Sequence, residues 1–100
     1  MKMEAQGDTL RITGITELGA TNANNIRDQI RAALLDSQRH IELDLSTTAF
    51  VDSCGLGALI ALHKTACNHS GSVRLVNPLP PVRQVLELTR LNRIFEISKG

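Results

Sequence analysis

Asp44-Leu45-Ser46-Thr47-Thr48-Ala49-Phe50-Val51-Asp52-Ser53-Cys54-Gly55-Leu56-Gly57 is the stretch that decides the reading of this chain. Leading into it, Ile41, Leu43 and Leu45 alternate with Glu42, Asp44 and Ser46, the period of two of a strand with one buried face. Beyond it, Leu56, Leu59, Ile60, His63 and Cys67 recur on one side at helical spacing, and Asn68-His69-Ser70-Gly71 ends that helix. Ala49, Phe50 and Val51 form a short apolar approach to Asp52. The order strand, loop, helix puts Ser53 at the expected N-cap, where its hydroxyl can accept a bond from an unpaired N–H of the first turn. Gly55 and Gly57 keep that turn bare. A bare helix start also suits a phosphoryl group, because the free N–H groups and the positive dipole end favour negative charge. Spacing alone therefore allows two roles for Ser53: a capping serine, or a phosphorylation site whose added charge of about −1.5 to −2 is a signal.

Working outward, Met1, Met3 and Ala5 point one way, Gly7-Asp8 signals a turn, and Leu10 and Ile12 resume the alternation, which predicts a hairpin. Gly14 to Thr21 is irregular, with Ile15 and Leu18 as its large apolar groups. Ala23, Ile26, Ile30, Ala33 and Leu34 then follow the spacing of an amphipathic helix with Asn22 as N-cap. On the other side of the central stretch, Val73 and Leu75 mark a strand within Ser72 to Asn77. Pro78, Pro80 and Pro81 break the chain, and Pro81 suits the first turn of a helix carrying Val82, Val85, Leu86 and Thr89. Leu91 to Ser98, with Phe95 and Ile97, reads as a final strand. The expected fold is one α/β unit over residues 1–100, with a mixed four- to five-stranded sheet and three to four helices packed on it.

A chain of 100 residues is one domain long, and 42% hydrophobic with 21% charged residues is ordinary for a globular protein. The formal net charge of +1 gives no general attraction for phosphate backbones, and two Phe without Trp or Tyr leave few platforms for stacking bases. Nucleic-acid binding is not expected. Gly55 to His63, the longest apolar stretch, is too short to span a bilayer, and Met1 to Gln6 lacks the apolar core of a signal peptide. The expected location is the cytoplasm. Cys54 and Cys67 would lie roughly 20 Å apart on one helix, too far for a disulfide, and read as free thiols.

Residues 44 to 57 resemble the hallmark of STAS domains, above all those of anti-sigma factor antagonists. That pattern is a strand ending in Asp-Leu-Ser, a short loop with an aromatic, then Asp-Ser-Ser/Thr-Gly-Leu-Gly opening a helix. The likeness extends through the Val73-to-Pro78 strand and turn and through Val85-Leu86-Glu87-Leu88-Thr89-Arg90-Leu91, and covers roughly residues 10 to 97. The resemblance implies a non-catalytic switch without cofactor or metal, phosphorylated at Ser53, with Asp52 shaping the site. Partner binding would fall to Asp52, Ser53, Cys54, Gly55, Leu56, Gly57, Thr48 and Phe50. The implied partners are an anti-sigma factor that is also a serine kinase of ATPase fold, and a PP2C-type phosphatase. Two positions depart from the pattern. Cys54 stands where the family has a second Ser or Thr, which leaves Ser53 as the phosphoacceptor of the motif. Thr16-Glu17-Leu18-Gly19 stands where members carry Gly-x-Leu-Asp, so the expected carboxylate is Gly19, with Glu17 the nearest acid.

Other constellations carry less. A stand-alone STAS subunit of a phospholipid-transport complex would share the fold and need no phosphorylation. Cys54 at a helix start could react as a redox sensor, against the plainer reading of a small buried or half-buried thiol. His63 and Cys67, four apart, could offer two metal ligands, but no second pair completes a site and both fit the apolar stripe. Asp44 and Asp52 could be imagined as a carboxylate pair, but turn and cap chemistry accounts for both.

Overall fold

In the computed structural model, which describes residues 1–99, alternation in the sequence becomes a sheet with two unlike faces. The elements are β1 (Lys2–Gln6), β2 (Thr9–Thr13), α1 (Ala23–Ala33), β3 (His40–Asp44), α2 (Ser53–Asn68), β4 (Val73–Val76), α3 (Pro80–Leu88), a 3₁₀ turn at Leu91–Arg93, and β5 (Glu96–Ser98). The five strands lie in the order β1-β2-β3-β4-β5. β1 and β2 pair antiparallel, and every later neighbour is parallel. Each parallel step needs a crossover, and α1, α2 and α3 supply the three. The result is the mixed five-stranded α/β domain expected from the pattern. The domain reading to residue 100 ends one position outside the described residues.

Leu10, Ile12, Ile41, Leu43, Val73 and Leu75 are buried on the helical face of the sheet, together with Ile30 of α1, Leu59 and Leu62 of α2, and Val82 and Leu86 of α3. Fully burying one such side chain stabilises by about 1.5–3 kcal/mol, so this layer supplies the bulk of the driving force. The opposite face is open and polar. Across it the strand register aligns Glu4 with Arg11, Arg11 with Glu42, Glu42 with Arg74, and Arg74 with Glu96, a row of alternating sign spanning all five strands.

Three expectations shift. The buried side of α2 is Gly55, Ala58, Leu59, Leu62 and Ala66; of the stripe read from sequence only Leu59 is fully buried, while Leu56, Ile60 and His63 are half-buried and Cys67 is exposed. The helix is apolar nearly all round, so spacing could not choose its inner face. The final strand is shorter than Leu91 to Ser98, because the chain first makes the 3₁₀ turn that buries Leu91 and Phe95. Asn22 holds the N-cap position of α1 but makes no capping bond with its side chain. Its amide ties down the preceding loop instead, accepting from Gly19 N at 2.9 Å and donating to Glu17 O at 2.8 Å.

Candidate functional site

Two loops meet at the carboxyl ends of β2 and β3, where residues 14–22 lead into α1 and residues 45–52 lead into α2. They are joined as a strand pair would be. Leu18 N donates to Phe50 O, Asp52 N donates to Leu18 O, and Ala49 N donates to Thr16 O, at 3.1, 3.2 and 2.9 Å. Leu18 and Val51 form a parallel bridge between buried side chains. Thr48 is fully buried and donates its hydroxyl to Ile15 O at 2.7 Å, and Thr47 donates to the same oxygen at 3.0 Å. A buried hydroxyl without such a partner would cost about 1–3 kcal/mol.

Asp52 fastens this double loop to the helix. One carboxylate oxygen accepts from Gly55 N at 3.0 Å, inside the first turn of α2, and the other accepts from Ala20 N at 3.0 Å, across in the opposing loop. The N-cap is therefore Asp52 and not Ser53, as the sequence had suggested. Asp52 is extended, with φ −97° and ψ −171°, and its charged oxygen is a stronger acceptor than the hydroxyl one residue later. The backbone N–H of Gly55, then those of Ala20 and Cys54, hold the Asp52 carboxyl below its ordinary value, against a smaller opposing effect of burial.

Two glycines let these parts touch. A Cβ on Gly55 would sit 2.1 Å from Leu18 O and 2.8 Å from a Val51 methyl. One on Gly19 would sit 2.8 Å from the Asp52 carboxylate and 3.1 Å from the Phe50 ring. In this chain the space that a Cβ at Gly19 would take is filled by the Asp52 carboxylate, which accepts from Ala20 N.

With the cap assigned to Asp52, Ser53 is the first residue of α2 and is exposed. Cys54 and Gly57 are exposed beside it, Leu56 is half-buried, and Phe50 is 46% exposed although large and apolar. Of the residues expected at a partner surface, Thr48 and Gly55 are buried and shape the site from beneath. The expectation of a buried or half-buried Cys54 also gives way, because its position on the first turn points it outward. Glu17 contributes its carbonyl to the loop. Ala20 and Leu18 O, which anchor Asp52 and crowd Gly55, were not foreseen, since backbone contacts between distant loops leave no residue-type signal. Among the described residues no group of three or more His, Cys, Asp or Glu could hold a metal ion, and no helix is long and apolar enough to cross a membrane.

Comparison with known proteins places this geometry. The family model described as the STAS domain matches residues 1–100. An anti-sigma F factor antagonist of Paenibacillus polymyxa is 30% identical over 89 residues, covering 88% of this chain and 74% of the relative. A candidate anti-sigma factor antagonist of Thermotoga maritima, solved by crystallography, superposes with a TM-score of 0.91 at 28% identity, covering 99% of this chain and 86% of the other. The phosphorylated form of the Bacillus cell fate determinant SpoIIAA shares the fold with a TM-score of 0.75 at 23% identity, over 99% of this chain and 91% of that one. A five-stranded mixed sheet, a capped helix start at the carboxyl ends of its strands and a family match over the whole length agree: this chain belongs to the STAS domain family.

Proposed function

We propose that this protein is a cytoplasmic anti-sigma factor antagonist that works as a phosphorylation-controlled binding switch centred on Ser53. The observation that carries the proposal is the exposed Ser53 hydroxyl on the first turn of α2, beside a cap that does not use it. A kinase can reach the hydroxyl, and its modification leaves the bonds from Asp52 to Gly55 and Ala20 in place. The names of the relatives support the same reading, since one is an anti-sigma F factor antagonist and another exists in a phosphorylated form.

In this reading the dephosphorylated domain docks an anti-sigma factor, itself a serine kinase of ATPase fold, and so frees a sigma factor. The docking surface is Phe50 with Ser53, Cys54, Leu56 and Gly57. Exposed Phe50 and half-buried Leu56 and Ile60 give it apolar area, and Gly57 permits close approach. Phosphorylation adds a charge of about −1.5 to −2 at the centre of that surface. A hundredfold loss of affinity needs about 2.8 kcal/mol, which repulsion and desolvation of a buried phosphate can supply without refolding. A PP2C-type phosphatase resets the switch.

The test is incubation with the cognate kinase and ATP, peptide mapping, and pull-down of wild type beside Ser53→Asp and Ser53→Ala. Labelling at Ser53, loss of the partner with Ser53→Asp and its retention with Ser53→Ala are expected. Labelling elsewhere, or equal binding by all three proteins, refutes the proposal.

A further inference from the structure

The end of the domain remote from Ser53 is assembled by topology. β2 to β5 run parallel, so α1 and α3 return the chain along the helical side to the amino ends of β3 and β5. Leu35 and Arg39 lie on the return from α1, and Leu88, Arg90, Arg93 and Ile94 on the return from α3. β3 and β5 flank β4, so the two groups are two strand spacings apart, roughly 10 Å along the sheet. Leu35, Leu88 and Ile94 are 59%, 76% and 43% exposed, three of the five large apolar side chains that the described residues leave uncovered. The three arginines are exposed, and none of them joins an ion pair among the described residues. Glu87 and Glu96, the acids closest in the chain to Arg90 and Arg93, are taken by Arg83 and Arg74 at 3.4 Å each. Asp8 and Asp36 also lie at this end, and Asp8 faces His40 at 3.7 Å, which leaves Asp36 as the opposing charge.

We propose that this end docks on an anionic lipid bilayer, with the three aliphatic side chains entering the headgroup layer and the three guanidiniums meeting lipid phosphates. Unpaired arginines select a negative partner, and the guanidinium fork suits phosphate oxygens. A bilayer is fluid and meets both groups at once, whereas side chains this exposed offer a peptide no groove. Protein hot spots favour Trp, Tyr and Arg and under-represent leucine, so the aliphatic half of the surface fits lipid better than protein. The backbone adds an independent sign. Arg90 has φ +61°, the left-handed conformation that glycine adopts most freely at a helix end, so the chain holds a guanidinium where glycine would close α3 at lower cost. Each arginine beside an anionic leaflet strengthens binding about fivefold, which makes the contact weak, reversible and dependent on both its charged and its apolar parts. Ser53 stands at the carboxyl ends of the strands, so docking leaves it turned away from the lipid and does not depend on its phosphorylation.

Co-sedimentation of the full-length protein with two kinds of vesicle tests this, one of phosphatidylcholine alone and one of phosphatidylcholine with an equal part of phosphatidylglycerol. Binding to the mixed vesicles is expected to exceed that to phosphatidylcholine by about 25-fold, three fivefold gains less one lost to Asp36, and to weaken as salt is added. Arg90→Gly combined with Arg93→Gln should return it to the phosphatidylcholine level. Arg39→Gln, on the other return, should lower it about fivefold, and it keeps the test open should the first variant fail to fold by circular dichroism. Leu88→Ser should weaken binding to both kinds of vesicle, and Ser53→Asp should sediment as wild type does. No binding to either vesicle, equal binding to the two, or binding unchanged by the arginine substitutions overturns the proposal. Retention on immobilised poly-L-glutamate without vesicle binding overturns it in favour of an acidic protein, and loss of vesicle binding in Ser53→Asp overturns it by moving the contact to the opposite end.

Discussion

Replacing Gly55 and Gly57 in turn by alanine adds the same methyl group to the same helix two residues apart, with opposite consequences. At Gly57 the new Cβ meets nothing within 4 Å. The substitution then acts only through helix propensity, where alanine is better than glycine by about 0.8–1.0 kcal/mol. In a domain of this size that raises the melting temperature by about 4–8 °C. At Gly55 the same methyl falls 2.1 Å from Leu18 O. That oxygen belongs to a backbone segment held by the Leu18–Phe50 and Asp52–Leu18 hydrogen bonds, so it cannot retreat without opening the double loop. Overpacking costs about 1–3 kcal/mol and occasionally more, and a clash with anchored backbone belongs at the top of that range. After the gain in propensity, Gly55→Ala loses about 2 kcal/mol or more, a fall of roughly 10 °C. Urea and thermal unfolding of the three proteins side by side measure both effects. Shifts of the same sign, or a neutral Gly55→Ala, would refute the packing argument. Gly57→Ala has a further use: because it is more stable than wild type, any loss of partner binding in it reports on the docking surface and not on folding.

Gly19→Asp, which restores the carboxylate of the family pattern, places a second negative group against Asp52; it is expected to lower the unfolding midpoint at pH 7 more than at pH 3, and an equal loss at both would contradict the contact. Because the Asp52 carboxyl is held below its ordinary value in the fold, its charged form stabilises the protein above the unfolded pKa of about 3.9, and that contribution is lost as pH falls through the lowered folded value. Asp52→Asn keeps a capping oxygen but not the charge, so its stability should decline less steeply than wild type on acidification, a difference visible in urea midpoints between pH 2 and 6. Leu59→Ala, at a fully buried position of α2, should cost about 2–5 kcal/mol by equilibrium unfolding.

The fold was largely written in alternation and spacing, because a sheet covered on one face prints its burial onto every second residue. Leu10 and Ile12, then Ile41 and Leu43, are buried as the pattern requires. Legibility failed where more than one arrangement satisfied the same local rule. In α2 apolar residues line both sides, so the choice of inner face fell to neighbours the sequence does not display. Asp52 and Ser53 are both competent caps, and what separates them is Ala20 N, thirty-two residues away, waiting for the second carboxylate oxygen. The bridge between Leu18 and Val51 is similarly non-local, which is why Gly14 to Thr21 offered no pattern. The motif marked the candidate site, but which of its residues faces outward and which supports from below was decided by contacts between two loops.

The row Glu4, Arg11, Glu42, Arg74, Glu96 across the bare side of the sheet gives the molecule a front and a back. An open sheet surface is ordinarily an adhesive one, yet here any visitor would have to strip water from a row of charged side chains, several already paired: Arg74 with Glu96, Arg11 with Asp44 and Glu4 with Lys2. Traffic is left to the helical side and to the loop end, where Phe50 and the bare start of α2 are exposed. For the switch proposed above, such a non-stick reverse would leave recognition to one doorway.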